Sequence, residues 1–263
     1  MKWFTSLPAG VLVVGGLTLA MLTAIAGRWA VSRFVPPGDR DEVQRIASPL
    51  MPALGATFAV LIALTLSSEA GYLHSANDIV SNEAAAAARL SWAATSPGVR
   101  TAPIHAALLD YVEHTRANEW RGDRAADEDD TTTAEALSTL ERTVRVEAAR
   151  TQLGTPASTE LLNSLDALTS ARRARVAAAS RQIPVLYVVT LVASGVALIV
   201  NSGALAFRST PRTALLVVGL ATVVGLCLAL LFALTEPWRG PLVASGESLD
   251  AIARDLRAGF FSR

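Results

Sequence analysis

Four stretches of the chain carry no formal charge: residues 3–27, 46–68, 182–207 and 213–235. Each runs for 23–26 residues. About 20 apolar residues cross the hydrocarbon core of a bilayer as a helix. The pattern therefore predicts membrane helices at about 5–27, 47–68, 183–205 and 213–235. Lys2 and the Ala24-Ile25-Ala26 triplet also fit a secretory leader. The run between them exceeds the 7–15 residues of a leader core, so a retained helix is the reading adopted. Between the first two runs, Pro36 to Glu42 (PPGDRDE) is a turn cluster. Between the last two, only Arg208 and Arg212 flank a Ser-Thr-Pro turn, which predicts a tight membrane hairpin. Pro49 and Pro52 are expected in the first turns of the second helix, where backbone N–H groups lack partners anyway.

Glu69 closes the second apolar run, and the sequence continues as AGYLHSANDIVSNEAAAAARLSW. Only Gly71 interrupts helix formers there. A membrane helix running on into a helix outside the bilayer, with a bend at Gly71, is the expectation.

Residues 69–181 are polar, with 16 acids against 12 arginines and a net charge of −4. Pro97-Gly98, Gly122-Asp123 and Gly154-Thr155-Pro156 divide them into four helical pieces. Three pieces carry apolar stripes at helical spacing: Ile104, Leu108, Tyr111; Leu137, Leu140, Val144; and Leu161, Leu165, Leu168. Thr132 and Glu135 fit a capping box opening the third piece. The tail repeats the pattern with Leu249, Ile252, Leu256 and Phe260, an amphipathic helix expected to dock on the soluble block or lie at the membrane surface. The fold class expected is thus an all-α membrane protein of four transmembrane helices. Residues 1–68 hold the first two, a helical bundle at 69–181 is inserted before the pair at 182–235, and 236–263 form the tail.

Composition agrees. The chain is 51% hydrophobic and 17% charged, and soluble domains carry about 25% charged residues. Net charge is zero, which argues against nucleic acid as a partner. Four spans put both termini and the bundle on one side. Basic residues near span ends number six on each side, so the positive-inside rule gives a tie. The cluster Arg172, Arg173, Arg175 and Arg181 favours a cytoplasmic bundle.

No enzyme motif stands out. His74, His105 and His114 do not pair at helix-face spacing, and Cys227 is the only cysteine, so no zinc site is supported. Asp123, Asp127, Glu128, Asp129 and Asp130 lack the glycine and terminal glutamate of a calcium loop and read as a solvated connection. No phosphate-binding glycine loop is present, and no cofactor is implied. His74, Asn77 and Asp78 share one helix face just after the second span, with Glu83 beyond them. Such groups line a water-filled path or tie neighbouring helices together.

Three stretches resemble the bacterial bestrophin-like family of unknown function, itself a distant relative of the bestrophin anion channels. They are HSANDIVSNEAAAAARL (74–90), LTSARRARVAAASRQIPVLYVV (168–189) and LTEPWRGPLVASGESLDAIARDL (234–256). Glu83-Ala84 and Ala76 match the stretch that follows the bestrophin pore helix, but its arginine and paired tryptophans are missing. In the tail, Glu236, Pro237, Trp238 and Gly240 resemble an acidic-Pro-Phe-Gly motif, with Arg239 inserted. The resemblance implies a homo-oligomer in the lipid bilayer, pentameric if it follows the bestrophins, in which the second helix lines a path for small ions.

In that helix Gly55, Ala59, Ile62 and Ala63 form a mostly small stripe suited to close helix approach. Phe58, Leu61 and Thr65 form another, the candidate pore lining, with Phe58 able to gate by dewetting. Phe58 packing on lipid or a neighbouring helix is the competing reading. His74, Asn77 and Glu83 are the candidate polar mouth. Two functions remain open at this point: an oligomeric ion (anion) channel, or a membrane-anchored helical bundle for sensing or assembly.

Overall fold

A computed structural model of the chain describes residues 9–36, 39–119, 130–151, 153–179, 185–205, 211–235, 238 and 242–262. The described elements are helices only: α1 Ala9–Phe34, α2 Arg40–Ala93, α3 Thr101–Glu119, α4 Thr131–Ala148, α5 Thr155–Ala179, α6 Val185–Leu205, α7 Pro211–Leu234, α8 Glu247–Arg257 and a 3-10 turn Phe260–Ser262. Four of them, α1, α2, α6 and α7, are long and apolar enough to cross a membrane. The chain divides into two compact units.

The first unit comprises Met1–Gly71, Gln182–Glu236 and Gly240–Leu242. In it α1 packs on α6 and α7, and small residues permit the approach. A Cβ placed on Gly16 would lie 2.9 Å from the Gly225 carbonyl oxygen, and one on Gly225 would lie 3.0 Å from that of Gly16. Between apolar helices in lipid, such close contact is the main attraction. The core gathers Ala20, Ala24, Phe58, Ile62, Leu198 and Val224. Two amides tie α2 to α6: Gln44 Nε2 donates to the Leu205 carbonyl (3.3 Å) and Asn201 Nδ2 to that of Ala47 (3.0 Å).

Helix α2 begins at Arg40, earlier than the apolar run that predicts it. Pro49 and Pro52 therefore lie inside the helix, not in its first turns. Each proline removes one backbone donor, leaving the Arg45 and Ser48 carbonyls short of a partner. The apolar run marks only the part of a helix facing oil, so it cannot locate a start in polar sequence. The helix runs on past Gly71 as expected, and α2 is one helix of 54 residues.

The second unit comprises Tyr72–Arg181, Pro237–Arg239 and Val243–Arg263. Here the stripes read from the sequence form the core. Ile104, Leu108, Tyr111, Leu140, Val144, Leu161, Leu168 and Leu249 are fully enclosed, and Leu165 is 5% exposed. Gly98, with φ of 87°, turns the chain between α2 and α3 in a left-handed conformation that favours glycine. The N-cap of α4 is Asp130, not Thr132. Its carboxylate accepts from the hydroxyls of Thr132 (3.0 Å) and Thr133 (2.5 Å). The Thr133 bond, ahead of the smaller effects, holds this carboxyl below its usual range.

Helix α8 docks on α3. Arg116 grips Asp250 through Nε and Nη2 (2.7 and 2.8 Å), and Arg257 Nη2 reaches Glu113 at 2.6 Å. Leu249, Ile252 and Leu256 bury as expected, but Phe260 is half exposed, because Gly259 ends the helix before it. Phe260 and Phe261 instead stand edge-on to Trp92, with centroids 6.0 and 5.3 Å away.

Candidate functional site along the second helix

In the membrane half of α2 the enclosed side chains are Ala47, Phe58 and Ile62. Phe58 packs inside its own chain: a Cβ on Gly195 of α6 would meet its ring at 3.2 Å and Val224 of α7 at 3.1 Å. The ring fills the hollow that a glycine leaves. Leu61 and Thr65 are half-buried, and the Thr65 hydroxyl returns to the Leu61 carbonyl (2.7 Å). Phe58, Leu61 and Thr65 thus border the packed side of the helix. The small stripe is divided too, since Ile62 is enclosed whereas Ala59 and Ala63 are exposed.

The open side consists of Pro52, Ala53, Ala56, Thr57, Ala59, Val60, Ala63, Leu64, Ser67, Ser68, Ala70 and Gly71. Only Val60 and Leu64 among these are large, 58% and 67% exposed, and Ile46 and Leu50 are exposed nearer the start of the span. The exposed positions of α1 and α7 carry more bulky side chains: Val14, Leu19, Leu22, Ile25 and Trp29 on α1, beside Gly10, Gly15, Thr18 and Ala26, and Leu215, Leu216, Val223 and Leu230 on α7, beside Gly219. Bulky aliphatic faces suit lipid tails. A face of alanine, glycine and hydroxyl groups suits another protein surface or water.

Beyond Gly71 the polar residues of α2 separate. His74 and Asp78 are exposed, with Nε2 and Oδ2 3.7 Å apart. Asn77 is half-buried and engaged: its Nδ2 donates to the Leu73 carbonyl (3.0 Å) and its Oδ1 accepts from the Ser245 N–H (2.9 Å). The tail is fastened at Tyr72 as well. Trp238, 5% exposed, donates its indole N–H to the Tyr72 hydroxyl (3.4 Å), which donates to the Ala178 carbonyl. Glu236, Pro237 and Gly240 lie outside the described residues.

Glu83 does not line a mouth. It is fully enclosed in the second unit, at the centre of a charge network. Tyr111 donates its hydroxyl to Glu83 Oε1 (2.5 Å), and Arg175 donates Nε to Oε2 and Nη2 to Oε1. Arg175 Nη2 also stands 2.5 Å from Glu119 Oε2, and Arg172 Nη2 donates to Glu119 Oε1 (2.7 Å). The Arg172 guanidinium lies over the Tyr111 ring at 5.6 Å. Two carboxylates and two guanidiniums balance, and they join α2, α3 and α5.

Burial first, and the Glu83 charge second, push the Tyr111 phenol well above its usual range. The folded state thus keeps a proton that the unfolded chain releases near pH 10, so stability falls as pH rises past that value. Burial alone would lower the Arg175 value, but Glu83 and Glu119 outweigh it and raise it overall.

Reasoning along the sequence missed Tyr111, Glu119, Arg172 and Arg175 as partners of Glu83. The signal was present. Arg172 and Arg175 stand four and seven residues after Leu168, continuing the apolar stripe of α5 with charges. Glu119 stands eight after Tyr111 on α3. A charge on a core stripe requires a buried countercharge.

Among known proteins, a bestrophin-like domain model matches residues 18–249. The fold is similar to solved structures of a bacterial bestrophin homolog from Klebsiella pneumoniae. One mutant form gives a TM-score of 0.70 at 14% identity, covering 93% of this chain and 99% of that one. A second mutant gives 0.72 at 15% identity, covering 94% and 98%. The form solved by Zn-SAD phasing gives 0.70 at 13% identity, covering 94% and 97%. No match is found among curated proteins. At such identities the likeness carries the fold alone, and the domain model carries the family. With its four helices long and apolar enough to cross a bilayer, this is a membrane protein, and the chain belongs to the bestrophin-like family.

Proposed function

We propose that the protein is a homo-oligomeric ion channel in which the second span of each copy faces the symmetry axis. The carrying observation is the difference between exposed faces: mostly small and hydroxyl-bearing on α2 from Pro52 to Gly71, richer in bulky side chains on α1 and α7. In a ring, α2 turns this face inward, where close approach and water replace lipid. Val60 and Leu64, the large side chains exposed between Pro52 and Gly71, form the apolar constriction that gates by dewetting. Phe58, with Leu61 and Thr65 at its margin, braces α2 against α6 and α7 and sets the radius from behind. Residues 69–181 form a helical bundle inserted between the second and third spans. The bundle and both termini lie on the cytoplasmic side, with Arg172, Arg173, Arg175 and Arg181 next to the third span.

The test is size, then flux. Purified in mild detergent, the protein migrates as a closed ring of several copies, a pentamer by analogy with the bestrophins. In liposomes it passes small ions, and Leu64→Ala raises the rate. A monomer in detergent that passes neither cation nor chloride would favour an anchored helical bundle used for sensing or assembly.

A further inference from the structure

Most helical threonines in this protein return the hydroxyl to their own backbone. Thr57, Thr65, Thr143 and Thr190 each donate to the carbonyl four residues back, and the buried Thr169 donates to the one three back. Thr115 of α3 does not. It is fully enclosed, and among the described residues its Oγ1 has no hydrogen-bond partner. A second unmade bond lies beside it. Arg172 of α5 is 9% exposed; its Nη2 donates to Glu119 Oε1 at 2.7 Å, but its Nη1 is buried without a partner. The order of side chains on α3 brings the two groups together. Tyr111, Thr115 and Glu119 follow at four-residue spacing along one buried face. The Arg172 guanidinium lies over the Tyr111 ring and bonds Glu119, so it spans the turn that Thr115 occupies.

We infer that one ordered water is bound between Thr115 and Arg172, and that the buried charge network is hydrated at this point. A buried polar group without a partner has given up its water for nothing. Folded proteins meet such groups with ordered solvent where two or more of them converge. Arg172 Nη1 can only donate, so its partner must accept. The Thr115 hydroxyl both donates and accepts. A water suits the pair: it accepts from Nη1, shares a bond with the hydroxyl, and keeps a proton for the Glu119 carboxylate. A chloride ion suits it badly. Chloride cannot donate, it would face Glu119, and the two carboxylates and two guanidiniums already balance. The water ties α3 to α5 where Glu119 is shared between Arg172 and Arg175. The site lies wholly within the second unit and is independent of the channel reading.

The experiment is a high-resolution structure of the purified full-length protein and of two Thr115 variants, with the denaturation midpoint of each. The wild type shows a single density peak within hydrogen-bond distance of both Thr115 Oγ1 and Arg172 Nη1. Thr115→Ser keeps the peak. Thr115→Val keeps the side-chain shape, loses the peak and shifts the midpoint down. Thr143→Val removes a hydroxyl that serves only its own helix and leaves the midpoint unchanged. Bromide exchanged for chloride gives no anomalous signal at the site. An empty site in the wild type overturns the inference, and so does a bromide signal there, which would make it an anion site. A peak and a midpoint both unaltered in Thr115→Val overturn it as well. Should Thr115→Val fail to fold, the wild-type density and the bromide exchange decide between these outcomes.

Discussion

At the scale of single residues, the most expensive choices in this chain are Glu83, Glu119, Arg172 and Arg175. Removing one member of a buried, hydrogen-bonded set strands its partner without water. Glu83→Gln keeps the shape and deletes one charge, leaving Arg175 with Glu119 alone. The variant is expected to lose about 3–5 kcal/mol, read as a lower denaturation midpoint of the detergent-solubilised protein. Pairing it with Arg175→Met, which removes the stranded cation, should recover part of that loss. Equal midpoints for the two variants would assign the cost to packing instead. A network of this kind specifies one arrangement of α2, α3 and α5 more than it adds stability, since a charge has few places to go in an apolar core.

At the scale of elements, helices in the two units attract by different means. In the second unit apolar stripes meet across α3, α4, α5 and α8, and expulsion of water supplies the drive. In the first unit lipid is as apolar as leucine, so contact must come from shape. Gly16 and Gly225 let α1 and α7 touch backbone to backbone. Gly225→Val places two methyl groups where the Gly16 carbonyl sits, and overpacking of this kind costs about 1–3 kcal/mol. Gly10→Val meets open space and serves as the neutral control. Comparing the melting of the two purified variants tests the crossing, and equal melting would remove it from the account. The stripes of the bundle were legible in the sequence because a water-facing helix must alternate. The contacts of α1, α6 and α7 were not, because a helix apolar on all sides gives no face to read.

At the scale of the whole molecule, four helices are long and apolar enough to span, and the proposed topology follows from their order. Single cysteines at Asp39, Thr139 and Ser245 in a Cys227→Ala background test it with an impermeant thiol reagent on intact cells. Labelling at Asp39 alone is expected. Labelling at Thr139 and Ser245 but not Asp39 reverses the orientation, and labelling at all three removes the four-span arrangement.

The sequence by itself determined that the chain is helical and apolar in four places, which residues of the polar stretch form a core, and which family it resembles. These are properties of spacing and hydropathy, and they are local. Only the tertiary structure decided that Phe58 faces inward to α6 and α7, that Glu83 is enclosed, and that Asp78 stands open. In an apolar helix each side chain is chemically acceptable on any side, so the neighbours choose. Between Arg45 and Arg89 three acids of α2 look alike in sequence; Glu83 is enclosed against Arg175, whereas Asp78 is left exposed.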